Sequence, residues 1–187
     1  MLALLGVASS VLHAGELSLH PTDQGCEVRI DGKLFAGFLK DYKGSPIVWP
    51  IIGPTGKKMT RDFPMIERND NSEAKDHPHQ QSMWFRHGDV NELNFWALKQ
   101  PIAHRKFNKA ESDGKMVELI TENDWMDKDG KPICTDILTL RFGTLEGKKV
   151  RFGISISTLR SRRSRRMSSS KTRRKEPSES GFRERWM

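Results

Sequence analysis

Between Cys26 and Phe152 the apolar residues fall into short alternating runs separated by Gly, Asp and Pro, and no segment carries an apolar stripe of period 3.6. A period of two sends successive side chains to opposite faces of a strand, so a chain patterned this way buries its apolar faces between sheets and not between helices. Cys26-Glu-Val-Arg-Ile30, Asp31-Gly32 and Lys33-Leu-Phe-Ala-Gly-Phe-Leu39 read as strand, turn dipeptide and strand, which predicts a β-hairpin. Pro46–Ile52 is β-branched but interrupted by prolines that cannot donate to a ladder, which predicts an edge strand or a strand entering a loop. Residues 57–82 are polar and rich in Asn, Asp, His and Pro, and lack either period; a long ordered loop is expected there. Met83–Phe85 and Leu93–Trp96 are strand-like pieces around His87-Gly88-Asp89, and Met116–Thr121 and Ile133–Phe142 flank a second hairpin signal at Asp127–Gly130. Lys148–Phe152 begins a further strand. At 187 residues the chain has the length of one domain, and the fold class expected is all-β, an antiparallel β-sandwich.

Both ends depart from this pattern. Residues 2–14 form an apolar run too short for a bilayer and of the right length for the core of a signal peptide. No Lys or Arg precedes it, and Leu12 is large for the third position before a cut after Ala14; the alternative is an N-terminal strand or buried segment. Removal of residues 1–14 leaves no stretch near the roughly 18 apolar residues of a membrane span, so a secreted or periplasmic location is expected. Export would permit a Cys26–Cys134 disulfide, but two cysteines without a dense framework read more readily as buried free thiols in strands.

At the C-terminal end, residues 154–187 hold 11 Lys/Arg against 3 Asp/Glu, which leaves 21 of each in the rest of the chain. The net charge of +8 therefore belongs to the tail, and a nucleic-acid interface on the domain body is disfavoured. An Arg/Ser arm neutralising phosphates is one explanation of residues 153–187. The other is a slipped reading frame. When the third base of each codon is joined to the first two of the next, Gly153–Ser157 becomes compatible with Asp-Phe-Asp-Ile, which continues the strand. In the same phase Lys171–Arg185 becomes compatible with a strand-like text containing Thr-Lys-Glu-Gly-Thr-Phe-Gly-Ile-Arg-Val. On this reading residues 15–152 are the N-terminal part of an incomplete sandwich, residues 153–187 are a disordered basic tail, and poor folding is expected.

Gly53-Pro-Thr-Gly-Lys-Lys-Met-Thr-Arg-Asp-Phe-Pro-Met65, Asp76-His-Pro-His-Gln-Gln-Ser-Met-Trp-Phe85, His87-Gly-Asp-Val-Asn91 and Phe95-Trp96 together resemble an uncharacterised bacterial family labelled methane oxygenase PmoA-like. The similarity covers roughly residues 25–152, and the shifted-frame text looks like that family's continuation. The resemblance implies an exported β-sandwich longer than the present one, with further His- and Trp-bearing segments downstream, and a connection with saccharide metabolism by analogy of fold and context.

The residues that can carry chemistry lie in the same stretch. Pro78 disfavours the α region for His77, and in an extended run His77 and His79 share a face. With His87 or Asp89 brought in by a bend, three ligands for a divalent metal can be assembled, although the spacing does not identify one. Alternatively His79 or His87 serves as general acid or base with Asp76 or Asp89 orienting it, or all four fix the loop by hydrogen bonds. Trp49, Trp84 and Trp96 suit either a sugar-stacking platform or the sandwich core. Arg61 can grip a ligand's carboxylate or hydroxyl, or pair with Asp62 or Glu67. Gly53-x-x-Gly56-Lys57-Lys58 has the wrong spacing for a phosphate-cradling loop. The expected function is thus carbohydrate binding or modification with a saccharide ligand; a non-catalytic glycan-binding module and an anionic-surface binder acting through the tail are the alternatives, and no cofactor is identified.

Sequencing the gene across codons 145–160 is expected to show a one-base insertion or deletion near the codons for Phe152 and Gly153. An intact frame there would leave the basic arm as the explanation.

Overall fold

The computed structural model describes residues 15–53, 55–70, 72–145 and 149–161, with strand pairing alone described for 144–145 and 149–161. The signal segment expected over residues 1–14 and the tail beyond Ser161 lie outside the described residues. Eight strands follow one another: β1 Leu17–Thr22, β2 Gly25–Ile30, β3 Lys33–Leu39, β4 Ile47–Ile51, β5 Ile102–Ser112, β6 Met116–Met126, β7 Pro132–Leu145 and β8 Lys149–Ser161. They make two antiparallel sheets, β1-β2-β3-β4 and β5-β6-β7-β8, the all-β sandwich-like arrangement that the alternation requires. No helix among the described residues is long and apolar enough to cross a membrane.

The turn chemistry explains the meanders. Asp31 (φ 49°) and Gly32 (φ 74°) both adopt the left-handed conformation that a two-residue hairpin turn needs, and Ile30 pairs with Lys33 across it. Asp127 closes the second hairpin by accepting the N–H groups of Asp129 and Lys131 on its carboxylate. β4, with Pro50 inside it, lies at the edge of its sheet, as its prolines demand. β3 meets it through a register shift between Ala36 and Phe38, where a Cβ on Gly37 would stand 2.6 Å from the Trp49 carbonyl oxygen.

Two expectations are corrected. Met83–Phe85 and Leu93–Trp96 form no strands and contribute only the isolated bridges Val48–Met83 and Val90–Leu93. Their apolar side chains serve packing onto the second sheet, which needs burial but no ladder. β5 is a full strand that the pattern hides: Arg105, Lys106, Lys109 and Glu111 charge it, and two register shifts, between His104 and Lys106 and between Phe107 and Lys109, break its alternation. β8 pairs with β7 as far as Cys134–Ser161 and so spans residue 152. Pairing uses backbone groups that any residue supplies.

Inside the sandwich the sheets meet through Leu17, Val28, Phe35, Phe38 and Val48 on one side and Val117, Leu119, Leu140 and Phe142 on the other. Phe35 meets Phe142 edge-on at 6.1 Å between ring centres. A second, smaller cluster contains Phe95, Ile102, Trp125 and Cys134. Cys26 and Cys134 are both free and buried, one in each cluster. Burial pushes the thiol pKa of Cys26 up to about 12 and that of Cys134 to about 11, so both are inert, structural side chains.

Between the two clusters runs a polar stripe. Asn123 and Asp136, paired across β6 and β7, are each 2% exposed. Asn123 Nδ2 donates to Asp136 Oδ1 at 2.6 Å, Trp125 Nε1 donates to Asp136 Oδ2 at 2.7 Å, and Thr121 Oγ1 donates to Asn123 Oδ1 at 3.0 Å. One carboxylate thus accepts the two buried N–H groups flanking it, which is what allows them to be buried at all.

Asp136→Ala removes both acceptors and is expected to cost about 1–3 kcal/mol for each stranded donor. An unchanged denaturation midpoint would reject this role. Burial raises the Asp136 carboxyl above its ordinary 3.8, and the hydrogen bonds from Trp125 and Asn123 oppose the rise. Because the folded value exceeds the unfolded one, the group's contribution to stability is complete below pH 3.8 and is lost as pH rises through the folded value. Asp136→Asn, titrated in parallel, is expected to lack that slope.

Candidate functional site

Fifty residues separate β4 from β5, and they carry every residue that the sequence marks as functional except Trp49, which lies in β4. Ionic knots hold this polar segment in place of a ladder. Asp62 is 2% exposed and accepts from Lys58 Nζ at 2.5 and 2.6 Å and from Arg68 Nη2 at 2.7 Å. The Lys58 hydrogen bond, with Arg68 behind it, outweighs burial and holds the Asp62 carboxyl below the ordinary range. Glu73 accepts the backbone N–H groups of Asp62 and Phe63 at 2.9–3.0 Å. Tyr42 Oη donates to the Pro64 carbonyl at 2.6 Å, and Ser82 Oγ to the Val48 carbonyl at 2.8 Å.

Arg61 pairs with neither Asp62 nor Glu67. Its guanidinium donates to the carbonyls of Ala74, Asp76 and His77 at 2.9–3.1 Å and to Asp76 Oδ1 at 3.2 Å. The residue therefore clamps the Asp-His-Pro-His turn. In that turn His77 is left-handed (φ 48°) and not extended: Pro78 disfavours only the right-handed α region, and the carbonyls turned toward Arg61 fix what remains. Even so, the rings of His77 and His79 converge to 5.6 Å. His77 Nδ1–H donates to Asp76 Oδ2 at 2.6 Å, so Asp76 orients His77 and not His79. That bond, followed by the one from Arg61, lowers the Asp76 pKa.

His79 continues the row, 5.9 Å from Trp96, and Trp96 meets Trp84 edge-on at 4.6 Å. Trp96 is 43% exposed. The row exists because its neighbours in sequence are anchored: Phe85 and Phe95 pack on Trp125 with ring centres 5.7 and 4.7 Å away. His87 and Asp89 are bound to each other through backbone, the His87 ring nitrogen accepting the Asp89 N–H at 3.3 Å, and neither contacts the row. No group of three His, Cys, Asp or Glu able to hold a metal occurs among the described residues. Trp49 stands apart in β4, half-buried, with its indole N–H unpartnered.

Two residues that the sequence does not mark belong to this site. Arg86 is 6% exposed, its guanidinium carbon 5.7 Å from the centre of the Trp84 ring, and Nη2 donates to Gln81 Oε1 at 3.1 Å. Its Nε and Nη1 and the Gln81 Nε2 have no partner, and no carboxylate pairs with it among the described residues. Loss of hydration lowers the Arg86 pKa to about 10. Stranded buried donors cost about 1–3 kcal/mol each, and more on a charged group, so this arrangement opposes folding. No local signal betrays it, because the burial of Arg86 is a product of how Trp84 and Gln81 pack.

Neither a curated protein nor a solved structure matches the chain. Residues 25–185 match the model of DUF6807, a family of unknown function, from β2 through the connecting segment and past residue 152. The chain therefore belongs to the DUF6807 family.

Proposed function

We propose that the protein is an exported saccharide-binding protein whose ligand lies on the row formed by Trp96, Trp84, His79 and His77. The observation that carries this reading is the exposed indole of Trp96, held edge-on against Trp84 and flanked by a histidine. A sugar ring presents C–H groups on its faces and hydroxyls around its rim; an aromatic surface beside ring nitrogens meets both. Arg61 and Asp76 serve this reading by shaping the turn, since their polar atoms are already committed to backbone and to His77. Binding fits the row better than turnover does. The oriented histidine, His77, is largely exposed, and the second carboxylate considered for acid–base work, that of Asp89, lies outside the row.

Affinity electrophoresis of the full chain through gels containing individual polysaccharides, with tryptophan fluorescence as a second readout, tests the reading. At least one polysaccharide is expected to retard the protein. Trp96→Ala is expected to weaken that binding by at least about tenfold, or ~1.4 kcal/mol. Met59→Ala, at an exposed apolar residue of the same segment but outside the row, should leave it unchanged. Absence of retardation across neutral and acidic polysaccharides, or equal retardation of the Trp96 variant, defeats the proposal.

A further inference from the structure

We infer that Arg86 and Gln81 form a carboxylate-recognition site at the edge of the aromatic row, and that the ligand is an acidic saccharide. The inference rests on the saccharide reading and names the ligand class of that same site. Its basis is an imbalance of donors. A guanidinium 6% exposed keeps two nitrogens unpartnered, the fully buried Gln81 turns its only acceptor oxygen to Arg86 and leaves its amide nitrogen unpartnered, and among the described residues no carboxylate pairs with the guanidinium. All three vacant groups donate, so the complement is a group that only accepts and carries negative charge.

Other parts of the chain treat their cations differently. Arg29, Arg61, Arg68, Arg105 and Arg141 each meet a carboxylate within 4 Å, and all five side chains are more exposed than that of Arg86. The most deeply buried arginine of the site is thus the one without an ion pair, the reverse of what structural packing alone selects. Its position fits a ligand on the row: the guanidinium adjoins the Trp84 ring, and Trp84 adjoins Trp96. The Trp84 segment is held to β4 by the isolated bridge at Met83 and the bond from Ser82 Oγ to the Val48 carbonyl, both N-terminal to Trp84, so a shift of the indole from the guanidinium breaks no ladder. A sugar stacked on Trp96 that bears a carboxylate on its ring then places charge toward Arg86. A neutral sugar gains the stacking alone.

Full-length protein, Arg86→Met and Gln81→Glu are compared in gels containing polygalacturonate or a neutral polysaccharide, and by thermal shift with free galacturonate or acetate at constant ionic strength. Wild type is expected to prefer the acidic polymer by about tenfold or more, and Arg86→Met to lose that preference while keeping its retardation by the neutral polymer. Gln81→Glu places a carboxylate against Arg86 from within. It is expected to raise the melting temperature and abolish the preference, and it keeps the inference testable where Arg86→Met fails to fold. Equal retardation by both polymers in wild type and variants overturns the carboxylate site and leaves the saccharide reading standing. Thermal stabilisation by galacturonate and acetate that Arg86→Met loses, with no polymer retained, upholds the anion site and overturns the saccharide reading. No response to either polymer or either small carboxylate overturns both.

Discussion

The Trp125 side chain, tied by its indole N–H to Asp136, is the fixture on which the rest of the site depends. A strand residue deep in a sheet is a rigid mount, and this one offers a large apolar ring to the connecting segment while its polar edge is satisfied from behind by β7. Phe85 and Phe95 take hold of that ring from two places ten residues apart in sequence. Each has a tryptophan as its preceding or following neighbour. Fixing the two phenylalanines therefore fixes where Trp84 and Trp96 meet.

The connecting segment shows how a long stretch without strands or helices stays ordered. Fifty residues of backbone must find hydrogen-bond partners outside any ladder. The chain solves this with buried or half-buried charged side chains that receive several bonds at once: Asp62 from Lys58 and Arg68, Glu73 from two backbone N–H groups, and Arg61 toward three carbonyls. Charge here acts as local scaffolding. That use explains why the segment is polar throughout and why so few of its charges are free for a ligand.

Strands bounded by specific turn residues were legible. Asp31-Gly32 and Asp127–Gly130 dictate their hairpins by local conformation, and Pro50 dictates an edge. β5 was not legible, because its two bulges and its charged outer face erase the period that identifies a strand. The aromatic pieces around His87 misled in the opposite direction, since alternation and apolar content report burial and not pairing. In the site, the pairing of His77 with His79 could be read from their spacing, whereas the role of Arg61 as a clamp and the isolation of His87 and Asp89 depend on which carbonyls and rings the fold brings near. Arg86 and Gln81 left no trace in the pattern at all. An unpaired buried charge is a property of three-dimensional neighbours.

The polar stripe of Thr121, Asn123 and Asp136 divides the interior into two compartments of unequal size. The larger belongs to both sheets; the smaller is shared by the second sheet and the connecting segment. Fluctuations that loosen the smaller one need not propagate across a row of hydrogen bonds into the larger, so the molecule has the means to breathe on one side only. Strain applied at Phe85 and Phe95 then falls first on Trp125 and Ile102, on the far side of the stripe from the contact of Phe35 with Phe142.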